Sequence, residues 1–201
     1  MIYELCLAQM TSSFFGGTLY HYTLNIGLFI LSMGLGSIAA EKVNEKNVAA
    51  FALKIEAALV LVALALPFYA VFAEKWLPHT IFYAVLWLTN IILGLLSGLE
   101  LPLFNRLLKT QGVEEVLFVD YLGMFAGSMA FTFLLFPVLG VFSALWVAAL
   151  LNLVALVSLV FLTGRTYGLY YSFSGVFFLV AVYFLFASGS LTTFLQLQYV
   201  N

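Results

Sequence analysis

The sequence has little with which to face water. Only 8% of its 201 residues are charged, and the net charge is −2. A typical soluble domain carries about 25% charged residues. The single cysteine, Cys6, excludes an internal disulfide and any CxxC redox or metal motif; its ordinary role is that of a small buried apolar residue. No basic patch is present, so nucleic acid is not an expected partner. Histidine is limited to His21 and His79. HExxH, a P-loop, GxSxG with triad partners and a haem-ligand pattern are all missing. No catalytic residue, metal or cofactor is therefore expected, and the chain leans away from being an enzyme. No cleavable signal is legible, since no basic stretch precedes the first apolar run.

What is present is apolar. Hydrophobic residues make up 65% of the chain, and the mean hydropathy is +1.14. Such a chain cannot cover itself with a polar shell, and the lipid bilayer is its expected surroundings. The apolar runs are long and continuous, with no ten-residue alternation, which predicts helices rather than barrel strands. The expected fold is all-α: a polytopic membrane bundle of about seven transmembrane helices, at about 1–16, 22–40, 48–73, 80–106, 116–136, 141–163 and 169–194. "PVLG" reads as a tight turn between the fifth and sixth. Lys42, Lys46, Arg106, Lys109 and Arg165 fall in loops on one side, with Lys54 near it, and Lys75 lies on the other. The positive-inside rule makes the first side cytoplasmic, with the N-terminus inside. Trp76, Tyr83, Trp87, Tyr167, Tyr170 and Tyr171 lie near the predicted interfaces, and the 21 phenylalanines face lipid or fill gaps between helices.

Four carboxylates interrupt the apolar runs: Glu4, Glu56, Glu100 and Asp120. Hydrocarbon disfavours such groups, so each is a candidate for binding a cationic solute or protons. The alternative is that each is neutral or paired and ties helices together, with Lys54 a partner for Glu56 or Asp120. Arg106 would reach back to Glu100 only across a bend at Pro102. Asn25, Asn90 and Asn152 either cross-link helices or line a polar path. His21, between two tyrosines, is an interfacial anchor or a pH sensor. Small residues offer close helix approach: Ser32 and Gly36, Gly94 and Gly98 in "GLLSG", Gly123 and Gly127 in "GMFAG". If the chain carries a pseudo-twofold, the natural crossing is span two against span five.

The phrase Glu-Leu-x-Leu occurs at Glu4 and again at Glu100, a shift of 96 residues (100 minus 4). The same shift lays "GLFILSM" over "GMFAGSM" and Glu56 over Asn152. Either this is an internal duplication or a product of biased composition. A duplication of three spans would give a 3+3 inverted repeat, with halves 1–73 and 80–163 and an extra helix at 169–194 in a single transmembrane domain. Inverted repeats place solute sites near the membrane midplane. Span four carries about 20 residues before Glu100, but span one has three before Glu4. Two expectations follow: a longer parent protein, or a short re-entrant first segment.

"YEL" at 3–5, "IGLFILSMGLGS" at 26–37, "GLELPL" at 98–103, "DYLGMFAGS" at 120–128 and "FPVLG" at 136–140 resemble the N-terminal multi-span domain of bacterial membrane-bound spermidine synthase homologues. The resemblance covers about residues 1–165. It implies a bacterial inner-membrane location and a polyamine or other cation as ligand. In that family a helical lead-in precedes the Tyr-Glu-Leu phrase, and a soluble aminopropyltransferase domain follows the last span; its cofactor loop and catalytic aspartates are not in this sequence. Seven spans with the N-terminus inside would put such a domain on the wrong side of the membrane. Three roles stay open: a cation-binding or transporting module, a structural or accessory subunit packed with other membrane subunits or its own copies, and a membrane anchor for an aminopropyltransferase.

Overall fold

The computed structural model describes residues 1–108, 113–163, 175, 177–180 and 182–183. Among these, the chain runs through α1 (Ile2–Phe15), α2 (Thr18–Ala40), a short 3-10 turn (Glu45–Asn47), α3 (Val48–Trp76), α4 (His79–Leu108), α5 (Val113–Ala130), a π-wound segment (Phe131–Leu139) and α6 (Gly140–Thr163). No strand occurs among the described residues, so the all-helical expectation agrees with the structure. The first six expected spans correspond one to one with these helices. The seventh, at about 169–194, lies almost wholly outside the described residues.

Among the described residues, which hold the first six expected spans, four stretches are long and apolar enough to cross a membrane: Leu19–Ala40, Glu45–Trp76, His79–Leu107 and Glu114–Leu162. Two features set this division. Gly16 and Gly17 take φ of 73° and 62°, which ends α1 after 14 residues. At 1.5 Å per residue the stretch from Ile2 to Phe15 is about 21 Å long. The fifth and sixth expected spans fuse into one 49-residue apolar stretch. Between them "PVLG" is not a tight turn: the π winding carries Pro137 inside it and runs to Leu139. Gly140, the first residue of α6, takes a φ of 79°, which suits glycine.

Helix ends follow local chemistry. The last carbonyls of a helix lack intrahelical donors. At the end of α2 Arg106 of α4 donates through Nη1 to the Ala40 carbonyl at 3.2 Å, and through Nη2 to the Val43 carbonyl in the turn that follows at 2.8 Å. The Asn44 side chain accepts from the Lys46 amide at 3.1 Å and starts the 3-10 turn. At the head of α4 the Pro78 carbonyl accepts from Ile81 and Phe82 at 2.9 and 3.0 Å.

α1 is wedged against α2, α6 and α4, while α3 lies along α6 and α4. The core between them is apolar and dense: Leu7, Leu53, Phe82, Trp146 and Leu156 are all less than 2% exposed. The most extensive pairing is α2 on α4, and glycine explains it. A Cβ added to Gly36 would lie 2.2 Å from the Leu95 carbonyl oxygen, and one added to Gly98 would lie 2.0 Å from that of Met33. At Gly94 it would meet the Phe29 carbonyl and the Ser32 side chain at 2.8 Å. The backbones touch because side chains are missing. The expected crossing of spans two and five is thus replaced by α2 on α4, the helix that offers glycine to glycine.

Candidate functional site: a carboxylate-lined cavity

α1, α2, α4, α5 and α6 surround a cavity of about 970 Å³. Glu4, Glu100 and Asp120 line it, from α1, α4 and α5, and Asn152 of α6 lines it too. The remaining wall is largely apolar, with Phe29 and Met33 of α2 among its residues. Glu4 is 2% exposed, and its Oε1 has no hydrogen-bond partner. Glu100 and Asp120 keep more surface.

Glu56 of α3 does not line the cavity, although Leu59, one turn on, does. It is 2% exposed, and its Oε2 lacks a hydrogen-bond partner. Tyr3, next to Glu4, lines the cavity, is 6% exposed and has a phenolic oxygen without a partner. Tyr3 was not among the residues expected from sequence; its only signal there is its place in the "YEL" phrase, since tyrosine does not stand out in an apolar run as a carboxylate does.

The basic partners expected for these acids are elsewhere. Lys54 is exposed; two positions from Glu56 on one helix, it cannot share that residue's face. Arg106 is committed to the end of α2. Asn25 also leaves the candidate set. It is fully buried in the α2–α4 seam, donating to the His21 carbonyl at 2.8 Å while its own carbonyl accepts from Asn90 Nδ2 at 2.8 Å. His21 is buried, and its Nδ1 lies 2.9 Å from the Tyr83 hydroxyl. Its ring sits among Phe15, Tyr20 and Tyr83. This cluster joins the α1–α2 hairpin to the head of α4.

The small residues divide into two sets. Ser32, Gly36, Gly94 and Gly98 form the seam. Gly123 and Gly127 line the cavity instead: a Cβ on Gly123 would meet nothing within 4 Å, and one on Gly127 would find Ile2 Cγ1 at 3.6 Å. Among the described residues, no group of histidine, cysteine and carboxylate side chains is arranged to hold a metal ion.

The chain is 31% identical over 164 residues to "Polyamine aminopropyltransferase 1" of Streptomyces coelicolor, covering 77% of this chain and 30% of that protein. Its homologues are polyamine aminopropyltransferases. A second, from Leptospira interrogans, is 32% identical over 159 residues, covering 76% of this chain and 31% of that one. "Polyamine aminopropyltransferase 2" of Aquifex aeolicus is 30% identical over 191 residues, covering 91% of this chain and 38% of its own. The chain thus spans about a third of the length of the curated relatives it matches. No family model and no solved structure matches it.

Proposed function

We propose that this chain is a bacterial inner-membrane module that binds a small organic cation, a polyamine or one of similar chemistry, in the cavity between α1, α4 and α5, and passes it or protons across the bilayer. The observation that carries the reading is the convergence of three carboxylates from three helices on one largely apolar cavity. A flexible polycation fits such a surface. Its ammonium groups offer charge to the acids, and its methylene stems lie on the apolar wall. Carboxylates in an apolar span are costly unless something compensates them, and Lys54 and Arg106 do not.

The test uses the full chain in proteoliposomes with radiolabelled spermidine. Glu100→Gln is expected to weaken binding at least tenfold, about 1.4 kcal/mol, and to abolish flux. Unchanged binding and flux in this variant and in the Glu4→Gln and Asp120→Asn variants would remove the proposal.

A second reading has one observation in its favour. The region shared with the relatives is about a third of proteins named for aminopropyl transfer. On that reading the helices anchor an aminopropyltransferase, and the cavity serves to hold its polyamine at the membrane. The 96-residue correspondence supports an inverted pairing of α1–α3 with α4–α6. Single cysteines in the loops at 41–47 and 109–112, tested with a membrane-impermeant thiol reagent, should label from one side only, the cytoplasmic side; labelling from opposite sides would remove this orientation.

A further inference from the structure

The cavity has a back and a front. α2 and α5 both pack on α1 and α4, and among the described residues they share no extended packing with each other. The back is therefore α1 and α4, which bring Glu4 and Glu100 to the cavity. Glu4 is buried there, with its Oε1 unpartnered. The front is the gap between α2 and α5. A residue that lines a closed cavity is buried; one that lines it and keeps its surface stands on a rim. Ile30 of α2 and Tyr121 of α5 line this cavity and are 56% and 60% exposed. Gly34, Gly123 and Ala126 line it and are exposed too, and a Cβ on either glycine would meet nothing within 4 Å. Ile30 stands about 15 Å from each end of the membrane-length stretch Leu19–Ala40. That is the middle of a hydrocarbon core roughly 30 Å thick. On the membrane reading above, the gap faces lipid tails and not water.

We propose that the cavity opens sideways into the bilayer between α2 and α5, and that its ligand is an ammonium head carrying a long apolar chain. The head meets Glu4 and Glu100 at the back and Asp120 of α5. The chain leaves between α2 and α5 and lies among the lipid tails. This rests on the cation-binding reading above, and it names the other half of the ligand and its way in. Charge and volume both support it. The acids select a cation. A cavity of about 970 Å³ stands near the top of the range for drug-sized ligands, roughly 300–1,000 Å³. Its wall is largely apolar, so a bare short amine leaves most of that wall unmet. An amine with a long chain partitions into the bilayer by itself and reaches the gap at hydrocarbon depth. A polycation without a chain has to shed its water in hydrocarbon to enter the same way. Gly34 and Gly123 keep the gap clear, because no side chain stands in it at those two positions.

The experiment uses the full chain in lipid nanodiscs and two probes that share a head: spermidine and N-dodecylspermidine. Equilibrium binding of each is measured, with uptake by empty nanodiscs subtracted. A photoactivatable form of N-dodecylspermidine, with a diazirine midway along its chain, maps where the chain lies. The wild-type chain should bind N-dodecylspermidine at least about tenfold more tightly than spermidine. Labelling should be saturable, should fall on the α2 and α5 segments around Ile30 and Tyr121, and should be unaffected by dodecanol, which has the chain without the charge. Glu100→Gln should lower it about tenfold. Gly34→Trp and Gly123→Trp place a side chain in open space, so the thermal midpoint should stay at its wild-type value. Each should bring the affinity for N-dodecylspermidine down to that of spermidine and leave spermidine's own affinity unchanged. Labelling that does not saturate or ignores Glu100→Gln, or tryptophan variants that keep the advantage of the chain, overturns the sideways opening, while spermidine binding by the wild-type chain leaves the cation-binding reading standing. Failure of the wild-type chain to bind either amine overturns both.

Discussion

The α2–α4 seam and the α5 wall are built from the same small-residue spacing and do opposite things. "GLLSG" on α4 meets Ser32 and Gly36 on α2, and the two backbones come into contact. "GMFAG" on α5 meets Ile2 and the side chain of Met1 across a wider gap at Gly127 and nothing at Gly123. The described side chains of α5 include no buried residue, whereas α3 buries fourteen. If the 96-residue register is a duplication, α5 stands for α2 and α1 for α4, and the two pairs correspond. The seam closes because glycine faces glycine or serine. At the other pair the atoms nearest a Cβ on Gly127 are Ile2 Cγ1 at 3.6 Å and Met1 Cβ at 3.9 Å. Spacing alone makes a helix face smooth; what lies opposite decides whether it becomes an interface or the side of a cavity.

A matched pair of substitutions breaks the comparison most directly. Gly98→Ala sets a Cβ 2.0 Å from a backbone oxygen that cannot rotate away, so the helices must separate. The expected cost is about 3 kcal/mol, read as a fall in the thermal midpoint and folded yield in detergent. Arg106→Ala tests the same seam at its end. It removes two charge-assisted bonds, one to the last α2 carbonyl and one to Val43 in the turn after it, and should cost about 1–2 kcal/mol, since the side chain is only partly buried. Urea or thermal unfolding monitored by circular dichroism would register it. Gly123→Ala has the smallest effect and the opposite sign. The site is open, and alanine favours helix over glycine, so a gain of about 0.5 kcal/mol is expected. If Gly98→Ala and Gly123→Ala proved equally harmful, the distinction between seam and wall would be lost.

Much of the fold was legible from apolar run lengths, because a run of that length has to satisfy its own backbone and does so as helix. Where helices begin and end was legible where charge or paired glycines punctuate the chain, as at Gly16–Gly17 and Glu41–Asn47. The π winding was not. Pro137 marks a departure from α geometry but does not say which, and the hydrogen-bond shift that defines it depends on neighbours. Glu4, Glu100, Asp120 and Asn152 stood out as polar groups in apolar sequence, and the structure sets them around one cavity. That Glu56 lies behind the wall and Asn25 in the seam was not legible, since rotation about a helix axis follows from packing. The partner of Arg106 was hidden for a similar reason: backbone carbonyls at the end of another helix leave no mark in sequence.

On the cation-binding reading proposed above, the π-wound segment bears on selectivity. α5 carries Asp120, rests lightly on its neighbours, and is joined to α6 through looser coils and a glycine of unusual φ. Glu4 and Glu100, by contrast, belong to helices clamped on several sides. A receptor with one compliant wall discriminates by the number of charges it must neutralise and tolerates variation in the distance between them. Such a cavity would sort ligands by valence and accept homologues that differ by a methylene or two.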